Sequence, residues 1–337
     1  MNVLLTGGCG YIGSHILLDL IEHGHNVIVV DNLCNSNEDN LRTIENITKV
    51  KVKFYKIDLR DNKELEKIFK LNKIDIVIHL AGLKNNPISV KYPIEYYENN
   101  VLGSINLIKT MINNGVSNVI FSSSATVYSE KQIMPLQETS AISPKTPYGD
   151  SKIFVEKILE SISKSNPNWK TVILRYFNPA GAHKSGLIKE STEYESPNLM
   201  SQILHYANKK KEHLKVYGND YQTRDGTGVR DYIHICDLSK GHLLAIDRLF
   251  DTDFKDGFIV LNLGSGNGYS VNEMISTFEK VNGAKINVKI VSRRDGDIAE
   301  SYTDNSLAKS FLNWSTTETL ETICEDSWRS FKNKLKV

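Results

Sequence analysis

The stretch Thr6-Gly7-Gly8-Cys9-Gly10-Tyr11-Ile12-Gly13 follows the apolar run Val3 to Leu5 and leads into a periodic segment containing Ile16, Leu17 and Leu20. This is a strand, a glycine turn and a helix in that order. Glycines at 7, 10 and 13 permit a tight turn, close approach of a pyrophosphate and close helix packing, with the helix N–H groups facing the phosphates. Further short apolar runs recur at Val27 to Val30, Val52 to Ile57, Ile74 to Leu80, Val119 to Phe121 and Val172 to Leu174. Continuous apolar strands separated by helix-length connections predict an α/β fold, a Rossmann-like doubly wound parallel sheet covered on both faces. Helices are expected over 12–23, 64–71, 99–114 and 149–163, with Pro144 and Pro147 placing Tyr148 near a helix mouth.

From about residue 179 the pattern loosens, with Pro179, Gly181 and Gly186 dividing loop-like pieces. A nucleotide-binding core over 1–178 and a smaller C-terminal substrate-binding domain over 179–337 are expected, with 230–265 returning to the core through the strand candidate Phe258 to Leu263. Helices are expected at 269–281 and 318–331.

The chain has 337 residues and a formal charge of +1, from 41 Lys and Arg against 40 Asp and Glu. That balance gives no support to broad capture of nucleic acid or an anionic membrane surface. Cys9, Cys34, Cys236 and Cys324 lack CxxC spacing, so neither a zinc knuckle nor a disulfide framework is expected. No secretory leader and no membrane-length apolar window is read, which points to the cytoplasm.

Asp31 ends the second apolar run, where a carboxylate accepts hydrogen bonds from the adenosine ribose hydroxyls and repels a 2′-phosphate, so NAD is favoured over NADP. A simple strand-ending turn residue is the alternative. Asp58, after the third run, receives an adenine amino group or occupies a solvated turn. Ala81-Gly82 supplies a small opening beside the cofactor, with Lys84 after it. His79, inside an apolar strand, reads as a satisfied core residue; His234 and Asp237 make no convincing metal site, and no metal is expected.

Tyr148-Gly149-Asp150-Ser151-Lys152 forms a YxxxK pair, preceded by Ser122-Ser123-Ser124 at the end of an apolar strand. Four positions apart on a helix, Tyr148 and Lys152 share one face. Nearby ammonium and nicotinamide charges are expected to favour the phenolate, making Tyr148 a base for a hydroxyl proton, with Ser124 bridging substrate and phenol and Lys152 also reaching the nicotinamide ribose. The combination implies proton removal coupled to hydride transfer from a carbon bearing an alcohol to NAD.

TGGCGYIGSH, DNLCNS, HLAGLK, FSSSATVY, PYGDSK, LRYFNPAGAH, NLM, YGNDY, DGTGVRDYIHICDL, NLGSG and RRDGD together resemble the UDP-glucose 4-epimerase family of the extended short-chain dehydrogenase/reductases over almost the whole chain. The resemblance implies NAD retained through the reaction, a homodimer, and reversible inversion at C4 of UDP-glucose and UDP-galactose through a transient 4-keto sugar that turns over before it is reduced. It adds Tyr11, Ile12, Asn32, Asn35, Leu59, Leu80, Asn99, Ser122 and Tyr176 to the cofactor site. It assigns Ala125, Thr126, Phe177, Asn178, Asn198, Leu199, Val216, Tyr217, Arg230, Arg294 and Asp297 to the UDP-sugar, with Lys84 and Asn99 near cofactor or sugar. Ser301 stands where some relatives selective for unacetylated sugars carry tyrosine, which leaves space for UDP-N-acetylglucosamine and UDP-N-acetylgalactosamine.

A nucleotide-sugar 4,6-dehydratase shares the NAD fold and the Tyr-Lys pair but asks for an acidic pair where this chain has Ser124-Ala125-Thr126. A sugar-acid decarboxylase is possible by fold, and its product would lose carbon dioxide. An inactive NAD-bound regulatory module is opposed by the intact Ser124, Tyr148 and Lys152.

Overall fold

Strand and helix alternate through the first half of the chain. The computed structural model describes residues 1–190, 198–208, 212–294 and 296–334. The order is β1 (Asn2–Thr6), α1 (Tyr11–Glu22), β2 (Asn26–Asp31), α2 (Asp39–Thr48), β3 (Lys53–Lys56), α3 (Asn62–Leu71), β4 (Ile76–His79), α4 (Asn86–Lys91) and α5 (Pro93–Tyr96). A π-helical turn (Tyr97–Leu102) then leads into α6 (Gly103–Asn113), β5 (Asn118–Ser124), α7 (Pro147–Ser165), β6 (Lys170–Tyr176) and β7 (Asn178–Ala180). The remainder is α8 (Leu199–Ala207), β8 (Leu214–Tyr217), β9 (Val229–His234), α9 (Ile235–Phe250), β10 (Phe258–Leu263), β11 (Gly268–Ser270), α10 (Val271–Asn282), β12 (Val288–Val291), β13 (Glu300–Ser301), α11 (Ser306–Leu312) and α12 (Leu320–Lys334).

Two compact units result: residues 1–129, 138–176 and 239–261 form the first, and 130–137, 177–238 and 262–337 the second. In the first, a seven-stranded sheet runs β10-β6-β5-β4-β1-β2-β3. The pairings from β6 through to β3 are parallel. Leu4, Val77, Val119 and Phe121 pack on one face against Leu65 and Phe69 of α3, Leu107 and Met111 of α6, and Val155 and Leu159 of α7. The alternate residues Val3, Leu5, Ile76 and Ile120 are also fully buried, which is why these strands read as unbroken apolar runs. Strand order reverses between β2 and β4, on either side of β1, and a crevice opens at such a switch point beyond the strands' carboxyl ends.

In the second unit β9 pairs antiparallel with β11 and parallel with β7 and β13. Apolar side chains of α8, α10 and α12, with Leu214 and Val216 of β8, form its core. The expected return of 230–265 to the nucleotide-binding core is narrower in the structure, where only 239–261 of it lies in the first unit. The reason is the pairing of β9, reinforced by the fully buried Asp231 carboxylate, which accepts hydrogen bonds from Ser265 N and Oγ, Gly266 N and Thr303 N. Among the described residues, no helix is long and apolar enough to cross a membrane.

A Cβ on Gly13 would lie 2.2 Å from the Gly7 carbonyl oxygen, backbone that cannot yield, whereas a Cβ on Gly10 meets nothing nearer than 3.4 Å. Gly13→Ala is therefore expected to cost about 1–3 kcal/mol, as overpacking does, and Gly10→Ala about 1 kcal/mol or less; urea unfolding midpoints of the two variants check the order.

Candidate active site

Gly7 follows β1 with φ +74°, a left-handed conformation suited to glycine, and a Cβ there would meet Ala81 N at 2.8 Å. The loop is closed by Gly7 N donating to Val30 O at 2.8 Å and Ser14 N to Gly10 O at 2.9 Å. Gly10 is the N-cap of α1 without a side-chain hydrogen bond, and the first turn carries no acidic residue. The helix's positive end is thus left for an anion. Asp31, at the end of β2, anchors both flanking loops: its carboxylate accepts from Cys9 N (3.1 Å), Leu33 N (2.9 Å) and Ser36 Oγ (2.9 Å). Asp58 accepts from Asn32 Nδ2 at 2.8 Å and from both Arg60 Nε and Nη2 at 2.9 Å, and this fork holds its carboxyl well below the usual range.

Gly7, Gly10, Asp31, Asn32 and Asp58 line one cleft in the first unit together with Tyr11, Ile12, Gly13, Asn35, Leu59, Leu80, Ala81, Lys84, Asn99, Ser122, Tyr148, Lys152 and Tyr176. Every residue expected at the cofactor therefore borders the same space. Gly82, expected with Ala81 as a small opening beside the cofactor, borders it too, and so do Val30, Cys34, Ile57 and Leu83, which were not singled out. Behind the wall, Thr6 Oγ1, His79 and Ser104 Oγ form a buried relay with 2.7 Å contacts to both ring nitrogens. Burial, with the Lys152 charge nearby, lowers His79 to about 3 and keeps it neutral. Asn100, also missed, pins the wall: it receives Leu83 N at 2.8 Å and donates to Leu83 O and Ser151 Oγ, both at 3.0 Å.

Thr146 caps α7 by accepting from Gly149 N, and Pro147 starts the helix, which sets Tyr148 in its first turn. Ser124 closes β5 at 9% exposure. Its oxygen accepts from Thr126 N (3.2 Å) and Thr126 Oγ1 (3.0 Å), leaving its own hydrogen to donate. Its partner is the Tyr148 phenol, and that bond pulls the phenol's pKa down. Lys152 Nζ donates to Ser122 O at 2.8 Å, 5.7 Å from the Tyr148 ring centre and 5.0 Å from that of Phe121.

The expected phenolate rests on ammonium and nicotinamide charges acting together, and the protein's own groups supply only part of that. Burial outweighs Ser124 and pushes Tyr148 up to about 12, while burial, opposed by Glu156, pulls Lys152 down to about 8. Desolvation works against the charged form of both groups, phenolate and ammonium alike. A nicotinamide bound in the cleft would add positive charge beside the phenol, which favours its ionised form.

Glu156, one turn beyond Lys152, is buried with Arg175 of β6; Nη2 to Oε2 is 2.6 Å and Nε to Oε1 3.1 Å, both side chains 6% exposed. Ser123 Oγ donates to the same carboxylate, and Arg175 Nη1 reaches Tyr128 Oη (3.0 Å) and Glu138 O (3.2 Å). The pair ties α7, β5 and β6 together beneath the reactive residues.

In the second unit, Arg294 stacks 4.4 Å from the Tyr217 ring and meets Asp297 at 3.0 Å, which also faces Arg230 at 3.7 Å. Ser301 pairs in register with Arg230. The structure thus gathers Tyr217, Arg230, Arg294, Asp297 and Ser301. Asn178 donates to Asp231 O at 2.9 Å, and Asn198 caps α8, whose first residue is Leu199, by accepting from Met200 N at 3.0 Å. Val216 and Phe177 are buried, at 2% and 6% exposure, so Val216 has its backbone rather than its side chain to offer. Ala125 and Thr126 stand with Ser124 in the first unit, in a single 3-10 turn after β5.

Sheet order and glycine turn together define a doubly wound, dinucleotide-binding α/β protein. The profile of the NAD dependent epimerase/dehydratase family matches residues 3–264. The chain is 50% identical over 337 residues to a UDP-glucose 4-epimerase of Pasteurella multocida (strain Pm70), covering 100% of this chain and 99% of that protein. It is similar to the crystal structure of UDP-glucose-4-epimerase from Stenotrophomonas maltophila with bound NAD and formylated UDP-arabinopyranose, with 42% identity, a TM-score of 0.96 and coverage of 100% and 99%. That of the Bifidobacterium longum UDP-glucose 4-epimerase in complex with NAD+ and UDP matches at 44% identity and a TM-score of 0.94, covering 99% of each chain. The chain belongs to the UDP-glucose 4-epimerase family, within the NAD dependent epimerase/dehydratase family.

Glu156→Ala would leave the Arg175 guanidinium buried without a counter-charge. It is expected to cost about 3–5 kcal/mol, measured as the shift in denaturant midpoint, whereas Glu160→Ala, at an exposed helix pair, is expected to cost about 0.5 kcal/mol or less.

Proposed function

We propose that this chain is an NAD-dependent enzyme that reversibly inverts C4 of UDP-glucose and UDP-galactose through a 4-keto sugar. The observation that carries the reading is that Tyr148, hydrogen bonded to Ser124, and Lys152 border the same cleft as the glycine turn, in a chain that aligns end to end with UDP-glucose 4-epimerases.

The cleft fits a dinucleotide: Gly10 leaves open the space that a Cβ would take, α1 offers its unopposed positive end, and Asp31 puts a carboxylate at the end of β2. Gly7, Gly10, Tyr11, Ile12 and Gly13 would hold the pyrophosphate, Asp31 with Asn32 and Asn35 the adenosine ribose, and Asp58 and Leu59 the adenine. Leu80, Ala81, Lys84, Asn99, Ser122 and Tyr176 would hold the nicotinamide half, with Lys152 donating to its ribose. NAD, when bound, supplies the two-electron acceptor and gives the same pair back.

Tyr148 removes the proton of the sugar 4-OH as C4 becomes a carbonyl, and Ser124 and the Lys152 ammonium stabilise the phenolate while that proton is in flight. Once the keto sugar presents its other face, Tyr148 returns the proton to the oxygen and C4 is inverted with no net oxidation. Turning requires loose contacts to the hexose, so binding energy belongs on the nucleotide. Arg230 and Arg294 are assigned to the pyrophosphate, for which directed cationic donors are suited. Tyr217, Asn178, Asn198, Leu199, Val216, Phe177 and Asp297 are assigned to the UDP portion, and Ala125 and Thr126 to the sugar.

The reading extends to the N-acetylated sugars, since Ser301 is a small side chain beside Arg230. It also includes a homodimer, supported by an exposed apolar patch on the first unit: Ile94 is 66% exposed, Leu102 45% and Phe154 45%, with the Tyr97 ring 5.9 Å from that of Phe154. A cytoplasmic site of action, where cysteines outside any disulfide stay reduced, completes it.

Incubation with UDP-glucose, UDP-galactose and their N-acetyl counterparts is expected to give the C4 epimer of each with no net reduction of NAD. Tyr148→Phe should lower turnover by at least about 100-fold; turnover at the wild-type rate would remove Tyr148 as the base, and failure on both acetylated sugars would remove the wider specificity. Sedimentation should give a dimer, and Phe154→Glu should shift it towards monomer.

A further inference from the structure

The mechanism above uses Tyr148, Lys152 and Ser124 and leaves a second set of charged groups beneath them unexplained. We propose that the buried Glu156–Arg175 pair tunes the proton-transfer pair: Glu156 holds the Lys152 ammonium in its charged form, and Arg175 cancels enough of that carboxylate's charge for a net positive field to reach the Tyr148 phenol. The inference rests on Tyr148 and Lys152 acting as proposed above.

The geometry supports it in four ways. Glu156 follows Lys152 by four residues on α7, so the two side chains lie on one helix face. Glu156 cannot swing away, because Arg175 grips both carboxylate oxygens and Ser123 Oγ donates to one of them. Ser123 stands between Ser122, whose carbonyl receives Lys152, and Ser124, whose hydroxyl meets the phenol. The guanidinium is itself fixed by Tyr128 Oη and Glu138 O and lies 5.0 Å from the Tyr128 ring centre.

The other groups around the reactive pair do not supply this charge. His79 of β4 is held neutral by burial. Tyr96 of α5 and Tyr176 of β6 are phenols pushed up by burial, and Tyr176 Oη is hydrogen bonded to His242 of α9. Asp150, on α7 itself, faces Tyr97 Oη at 3.4 Å. Glu156 is the charged neighbour that opposes the effect of burial on Lys152. Because Tyr148 and Lys152 share their protons, the limb of kcat/KM that rises with pH reports the pair as a whole.

Charge changes at Glu156 and Arg175 must therefore move that limb in opposite directions. Glu156→Gln keeps the shape and removes the negative charge, so the field becomes more positive and the limb moves to lower pH, by roughly one pH unit for a charge a helical turn away in a partly desolvated site. Arg175→Met leaves the carboxylate uncompensated and moves the limb to higher pH. Arg175→Lys keeps the charge and leaves the limb in place, and Glu156→Gln combined with Arg175→Met brings it back to the wild-type position.

Measuring kcat/KM from pH 5 to 10 on the NAD-loaded variants tests this. Opposite shifts that cancel in the double variant support the proposal; a limb that stays within about 0.2 units in both single variants, or moves the same way in both, overturns it. If Arg175→Met does not fold, Glu156→Gln alone decides, by moving the limb to lower pH or leaving it still. A purely structural pair would lower melting temperature and kcat without moving the limb. Tyr148→Phe run alongside separates the two levels: retained turnover overturns the proton-transfer reading and this inference with it, whereas lost turnover with an unmoved limb overturns the inference alone.

Discussion

An amine and a phenol, both removed from water, have to share one proton less than their ordinary affinities would allow. That constraint organises the first unit. Burial alone raises the Tyr148 phenol and depresses the Lys152 amine, so it separates the two groups' affinities in the wrong sense for a tyrosinate base. Each stabilising element around them, the Ser124 hydroxyl, the Ser122 carbonyl and the Glu156 carboxylate, offsets part of that cost. A cationic ring bound in the cleft that these two residues line would act in the same sense, so binding of the cofactor would itself favour the phenolate. The protein needs no side chain with an intrinsically low pKa.

The sheet is what makes this placement reproducible. β5 ends in three consecutive serines that face different tasks: the Ser122 carbonyl takes Lys152, Ser123 takes Glu156, and Ser124 takes Tyr148. Alternation along a strand sends neighbouring side chains to opposite faces, which is why Ser123 reaches beneath the site while Ser124 reaches the phenol. α7 then lays Tyr148, Lys152 and Glu156 along one stripe, and Asn100 ties that helix to the wall of the cleft through Ser151. A shift of one residue in either element would break several of these contacts together.

Much of this was legible in the residues. Strands buried on both faces leave an unbroken apolar signature, so the runs beginning at Val3, Val27, Val119 and Val172 located β1, β2, β5 and β6. The glycine turn and YxxxK located the cleft, because their spacing has a mechanical cause. Among the helices that went unread, α4 and α5 span only six and four residues and α2 is largely polar, and the π-helical turn at Tyr97–Leu102 interrupts the period of the helix expected at 99–114. Glu156 and Arg175 were invisible for a different reason. A charge on a helix reads as solvated until a strand far along the chain supplies its partner, and only the fold brings β6 to α7. The phenol's protonation was equally out of reach, since desolvation belongs to packing and not to spacing.

On the proposed mechanism the base acts on an O–H proton while the hydrogen on C4 leaves and returns to the same molecule. Conversion of UDP-glucose carrying deuterium at C4, in ordinary water, tests this most directly. UDP-galactose that keeps the deuterium at C4 is the predicted result; product with hydrogen from solvent at C4 would mean that a carbon-bound proton is being exchanged, and would contradict the assignment of Tyr148 to the hydroxyl.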